Sequence, residues 1–186
     1  MVDLGLPSGT KWACCNVDTD HPENQSPINY GGYYAWGETE TKSTYSWESY
    51  IHCNVVESTC HNLGSDIAGT QYDVAHVKWN GTWQMPTDDQ FKELLNNCNY
   101  EWTTENGVDG GKFISKKNGA SIFLPAVGYR TETDLCYAGT LGNYWSSTQD
   151  PSDSNSAYGL DFFSERTYTY YDYRCYGRSV RPVFRK

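Results

Sequence analysis

At 186 residues the chain is long enough for one domain, 1–186, with a substantial buried core. A formal charge of −9 and a pI near 4.8 leave no basic stripe to neutralise phosphates, which excludes a nucleic-acid partner. No apolar run approaches the ~18 residues a spanning helix needs, which argues against direct membrane insertion.

The opening MVDLGLPSGTKWA has neither the basic nor the apolar region of a signal peptide, so none is expected. It alternates around Pro7-Ser8-Gly9 and reads as strand. Gly31-Gly32 leads into Tyr33-Tyr34-Ala35-Trp36, a second aromatic strand candidate. The stretches 20–30 and 38–65 are rich in Pro, Asn, Ser, Thr and Glu and read as long loops. Within 72–79, Val74, Val77 and Trp79 fit a short helix.

The firmest helix follows Pro86. Thr87 can cap it and Gln90 can close a capping box, while Asp88 and Asp89 complement the positive end of the dipole. Phe91, Leu94 and Leu95 form its apolar face, and it should stop near Asn97. KFISKKNGASIFLP reads as a β-hairpin turning at Asn118-Gly119, a pair suited to positive φ. NYWSS, AYGLDFF and SVRPVF follow as short strands. Two early helices and a strand-rich second half make an α+β domain.

The seven cysteines are an odd number, so a fully paired disulfide framework is not expected. In HCNVVESTCH, a Cys53–Cys60 pair closing a surface hairpin, or two thiols, outweighs a zinc site, because no C-x2-C knuckle is present. Of Cys14 and Cys15, one should be buried as a small hydrophobe. The loop Asp150-Pro151-Ser152-Asp153 carries alternate oxygen ligands but lacks the Gly and Glu of an EF-hand, so it reads as a solvated turn. No G-x-S-x-G, P-loop or dinucleotide fingerprint occurs, and no His neighbours a Ser or Cys in a recognisable nucleophile context. The expectation is a non-enzyme with no cofactor and no metal.

What remains distinctive is the stretch 152–178, which holds six of the sixteen tyrosines. Tyr offers a large, stiff contact area with a polar tip, and Ser, Asn and Gly adapt around it. That mixture suits a binding surface; a Tyr-rich solvated sheet face is the bland alternative. In AYGLDFF, Leu160 and Phe162 share a face and should enter the core, leaving Gly159, Asp161 and Phe163 outward. Around 168–173 all side chains could be exposed on a loop and strand edge. Tyr144, Trp145, Val180 and Val183 read as scaffold.

VDLGLPSGTKWA, GGYYAWGET, GTWQMPT with its helix, SIFLPAVGYR, GNYWSS and the closing GRSVRPV together resemble the major paralogous domain family. That family is widespread in gut Bacteroidetes and fibre-degrading bacteria. The resemblance covers nearly the whole chain in order. It implies a C-type lectin-like fold of the formylglycine-generating-enzyme type, with small twisted antiparallel sheets, two helices and long ordered loops. The enzymatic branch holds copper on a closely spaced C-terminal Cys pair. Here only Cys136 and Cys175 lie in that part, far apart in sequence, so that activity is not expected. The Glu-Pro-Asn, Gln-Pro-Asp and Trp-Asn-Asp sugar motifs of calcium-dependent lectins are absent as well.

The other branch that the resemblance implies is the variable protein of a diversity-generating retroelement. Its randomised Asn codons become NNC codons, which never encode Lys, Glu, Gln, Met or Trp. Those five types fill 32 of 186 positions, so about six are expected among the 35 residues 150–184, yet Glu165 stands alone. The segment 150–178 is therefore expected to be the variable region. Its ligand surface should comprise Ser154, Asn155, Ser156, Tyr158, Gly159, Asp161, Phe163, Tyr168, Tyr170, Tyr171, Asp172, Tyr173 and Arg174. The expected partner is a protein or a cell-surface glycan, met from a bacterial surface or a phage tail tip. An invariant carbohydrate-binding module on the same scaffold is the alternative.

Overall fold

The computed structural model describes residues 1–18, 26–56 and 59–184. The chain is α+β, mostly small antiparallel sheets with two helices. The opening strand divides into β1 (Val2–Asp3) and β2 (Lys11–Trp12), paired around the predicted Pro-Ser-Gly turn. β2 continues into a sheet with β5 (Trp83–Gln84) and β14 (Val183–Phe184), in the order β1-β2-β14-β5. The two ends of the described chain thus lie side by side, and Val183 faces Trp12.

The aromatic segment 33–36 is buried, but it makes no ladder. Only Tyr34 forms a bridge, to Arg178, and the flanking backbone bonds to loops instead. The first predicted loop lies partly outside the described residues. The second is a packed segment, because Tyr45 and Tyr50 are core residues within it. It also carries a small hairpin, β3 (Cys53–Asn54) with β4 (Thr59–Cys60).

Helix α1 (Val74–Trp79) buries Val74, Ala75 and Trp79, whereas Val77 points to solvent. Six residues make under two turns, so the inward set is fixed by the packing around it. Its cap is Asp73, a fully buried carboxylate that accepts four backbone N–H groups, from Gly69, Ala75, His76 and Met85. One side chain thus ties the loop before the helix to the strand after it. Helix α2 (Asp88–Asn97) has the predicted capping box: Thr87 Oγ1 accepts from Gln90 N, and Gln90 Oε1 accepts from Thr87 N. Phe91 and Leu94 are buried and Leu95 half-buried.

α2 runs directly into β6 (Cys98–Glu105), which pairs with β7 (Val108–Ser115), itself paired with β8 (Ser121–Pro125). The hairpin predicted to turn at Asn118-Gly119 is formed by β7 and β8, with Phe113 opposite Ile122. The tight primed turn is at Asn106-Gly107, both at positive φ, joining the directly paired Glu105 and Val108. The turn at 116–119 is longer, with only Gly119 at positive φ and Ser115 N bonded to Ala120 O. A short hairpin, β9 (Tyr129–Thr131) with β10 (Asp134–Cys136), follows.

The last sheet is β11 (Gly142–Gln149), β12 (Ser156–Phe162) and β13 (Thr167–Tyr173), with β12 in the middle and β13 at the edge. α2 packs against it. Tyr144, Leu160 and Phe162 join a core with Trp12, Phe91 and Phe113. Trp145 and Ala157 join a second core with Trp36, Trp79 and Val180. β12 is therefore covered on both faces. Among the described residues no helix is long and apolar enough to cross a membrane.

Candidate functional site

Direct pairing in an antiparallel sheet puts opposed residues on one face. Trp145, Gly159 and Tyr170 share a face, as do Asn143, Asp161 and Tyr168. Leu160 and Phe162 are fully buried on the other face, as predicted. The outward placing of Gly159 and Asp161 is corrected, because the second face is roofed by the closing segment of the chain rather than open to water.

Arg178 forms that roof. Its side chain is fully buried, with the guanidinium 4.5 Å from the centre of the Trp145 ring. It bonds Asp161 at 3.4 Å and Asp172 at 2.5 Å. Asp161 also accepts from Asn143 at 2.8 Å. Burial pushes the Asp161 carboxyl above its ordinary range, and the Arg178 charge opposes that rise. Asp161 and Asp172 are thus structural partners of a buried cation. Gly159 is buried beneath the same cation: a Cβ there would stand 2.4 Å from Tyr144 O and 2.6 Å from Arg178 Nη1.

Two more predicted surface residues are internal. Arg174 is fully buried, with its guanidinium 4.6 Å from the Trp36 ring centre. It donates to Tyr50 Oη at 2.8 Å and to the Ser154 carbonyl at 2.9 Å. Ser156 is buried and donates to Asp153 Oδ2 at 2.7 Å. The Asp150 and Asp153 carboxylates are engaged in their own loop, with Ser152, Asn155 and Ser156, and Asp150 is buried rather than solvated. Among the described residues no cluster of His, Cys, Asp or Glu is arranged to hold a metal ion.

The other predicted residues do reach the surface. Ser154, Tyr170, Tyr171 and Tyr173 are exposed, and Asn155, Tyr158, Phe163 and Tyr168 are half-buried. Their rings form a continuous row along the sheet edge. Phe163 stacks on Tyr168, Tyr168 meets Tyr170 edge-on, Tyr170 stacks on Tyr171 at 4.7 Å, and Tyr171 meets Tyr158. Arg166 covers Phe163 and Tyr168, and Lys92 covers Tyr158. Ring-on-ring packing holds these side chains in place before any ligand arrives.

A second row was not read from the sequence. Tyr173 meets Trp47 at 5.6 Å and Tyr176 at 5.8 Å; Tyr176 stacks on Tyr129, which meets Tyr137. Trp47 lies in the packed loop 38–65, and Tyr129 and Tyr137 flank the β9–β10 hairpin. No local spacing links these residues, since only the tertiary fold brings them together. Beside this row a cleft of about 320 Å³ is lined by Trp47, Glu48, Cys53, Val55, Asn155 and Tyr173.

Residues 100–183, which contain β7 to β13 entire and the whole Tyr-rich edge, match a family described as a domain of unknown function (DUF8237). No curated protein and no solved structure matches the chain.

Proposed function

We propose that the chain is a non-enzymatic ligand-binding domain that presents the β13 edge to a protein or a cell-surface glycan. The observation that carries this reading is the ring row from Phe163 through Tyr168, Tyr170 and Tyr171 to Tyr158: aromatic, partly exposed, pre-stacked and centred on the edge strand β13. Aromatic residues with polar neighbours dominate recognition surfaces because they bring contact area at little rotamer entropy. The fold assignment belongs to the same proposal, a C-type lectin-like domain of the formylglycine-generating-enzyme type. Its support is the combination of small antiparallel sheets, two helices and long packed loops. The setting would be a bacterial surface or a phage tail tip.

Within this reading the segment is the variable region of a diversity-generating retroelement protein. The diversified set narrows to Ser154, Asn155, Tyr158, Phe163, Tyr168, Tyr170, Tyr171 and Tyr173, because the other five candidates hold the fold together. The test is a pair of libraries. NNC codons at those eight positions should leave most clones folded, whereas NNC codons at Ser156, Gly159, Asp161 and Arg174 should leave few. Equal folded fractions would reject the division. A neighbouring reverse transcriptase gene, with an adenine-bearing near-copy of this segment, is the genomic counterpart.

The invariant carbohydrate-binding module is the second reading. The observation in its favour is Trp47, which lies outside 150–178 and yet shares the surface with Tyr173. A screen of immobilised glycans separates the two.

A further inference from the structure

The aromatic surfaces of this protein differ in one respect. Several rings carry a cation of the chain's own: Lys42 over Tyr45 and Tyr50, Arg130 over Tyr33, Arg166 over Phe163 and Tyr168. Arg174 and Arg178 cover Trp36 and Trp145. Among the described residues no cation covers Trp47 or Tyr173, the two rings that line the cleft. Those rings stand at 63° to one another, so they form two walls of a corner rather than one flat platform.

Glu48 is exposed and lines the same cleft with Cys53, Val55 and Asn155, its carboxylate accepting from its own backbone N–H and from the Ser46 hydroxyl. We infer that the cleft between Trp47 and Tyr173 receives a cationic side chain, Arg or Lys, from a protein partner. Angled aromatic walls present electron-rich faces to a cation, and a carboxylate beside them supplies the counter-charge. The volume of about 320 Å³ lies at the bottom of the range for small-molecule sites and suits one inserted side chain better than an oligosaccharide. The net charge of −9 favours approach of a basic partner.

This inference rests on the β13 edge being the ligand surface, and makes the cleft its anchor point. The test is titration of the whole domain with Nα-acetyl-arginine amide, followed at the Trp47 indole N–H by NMR. Nα-acetyl-citrulline amide, neutral and of the same shape, and N-acetylglucosamine serve as controls. The arginine amide should shift the Trp47 signal with a dissociation constant on the order of 1–10 mM, as fits a single side chain. Citrulline should bind roughly fivefold more weakly or worse, and Glu48→Gln, an exposed change, should weaken arginine by a similar factor. Tyr173→Leu should weaken it further.

Equal shifts from citrulline or the sugar, or none from arginine, would overturn the inference. A partner whose binding depends on Tyr170 and Tyr171 but not on Glu48 would also reject the cleft while leaving the proposed surface standing.

Discussion

Arg178 and Asp172 join the inside of the protein to its proposed binding edge: the fully buried guanidinium donates to a half-exposed carboxylate of β13 at 2.5 Å. Removing either carboxylate leaves a buried cation short of a partner. Asp161→Ala should therefore destabilise the fold by about 3 kcal/mol. Asp172→Ala should cost less, about 1–2 kcal/mol, because its side chain is 29% exposed and water can replace it. Denaturant melts of the two variants check both the order and the size.

Gly159 and Tyr171 lie on neighbouring strands and stood in the same predicted surface, but Gly159 is buried and Tyr171 exposed. Gly159→Ala forces a Cβ against the Tyr144 carbonyl and the Arg178 guanidinium, and should cost at least about 2 kcal/mol. Tyr171→Ala removes one cross-strand ring contact, with Tyr158, and one stack, with Tyr170, and should cost about 0.5–1 kcal/mol. Reversal of that order would place the structural set and the surface set the wrong way round.

The sequence carried the local rules faithfully. Thr87 and Gln90 are two residues whose side chains bond each other's backbone, so a four-residue window holds the whole argument. Leu160 and Phe162 follow from the two-residue period of a strand. The β7–β8 hairpin was legible at Asn118-Gly119, but its turn is longer than a tight primed one; the two-residue turn falls at Asn106-Gly107, where the register of β6 against β7 pairs Glu105 with Val108. The errors at Gly159 and Asp161 have one common cause, whereas Arg174 lies beyond β13 and is buried against Trp36 and Tyr50. Period two separates the faces of β12, but whether the second face is covered depends on Arg178 and Trp145, which arrive from elsewhere in the chain. The Trp47–Tyr173 contact was out of reach for the same reason.

His52 should give the protein a dependence on pH. It is half-buried between Tyr50 and Tyr72 and bonds the Gly37 carbonyl, and burial lowers its pKa below the ordinary histidine value. The unfolded chain then takes up a proton that the folded protein resists. The stabilisation is present above the unfolded value near 6.5, and is lost as pH falls from there through the lower folded value. Melting temperatures between pH 7.5 and 5 should fall more for the wild type than for His52→Asn; parallel curves would contradict this.

Cys53 and Cys60 are thiols that face each other across β3–β4. The adjacent His61 N–H bonds the His52 carbonyl, so the Cys pair occupies the non-hydrogen-bonded position, where Cα atoms approach to about 4.5 Å. That spacing falls within the disulfide range. Burial, then the hydrogen bond with Cys53, pushes the Cys60 thiol up to about 12. Under oxidising conditions a thiol titration should fall from seven to five, and the bond should add about 2 kcal/mol of stability. Loss of a different pair would refute the assignment.

The central claim is that the β13 edge binds a ligand on a fold that does not need its rings. The direct measurement is a screen of immobilised glycans and bacterial surface proteins, run with the wild type and with Tyr170→Ala/Tyr171→Ala/Tyr173→Ala, alongside their melting curves. The account predicts wild-type signals that vanish in the triple variant while its melting transition stays cooperative and shifts by only a few degrees. Equal signals from both proteins, or none from the wild type, would contradict it.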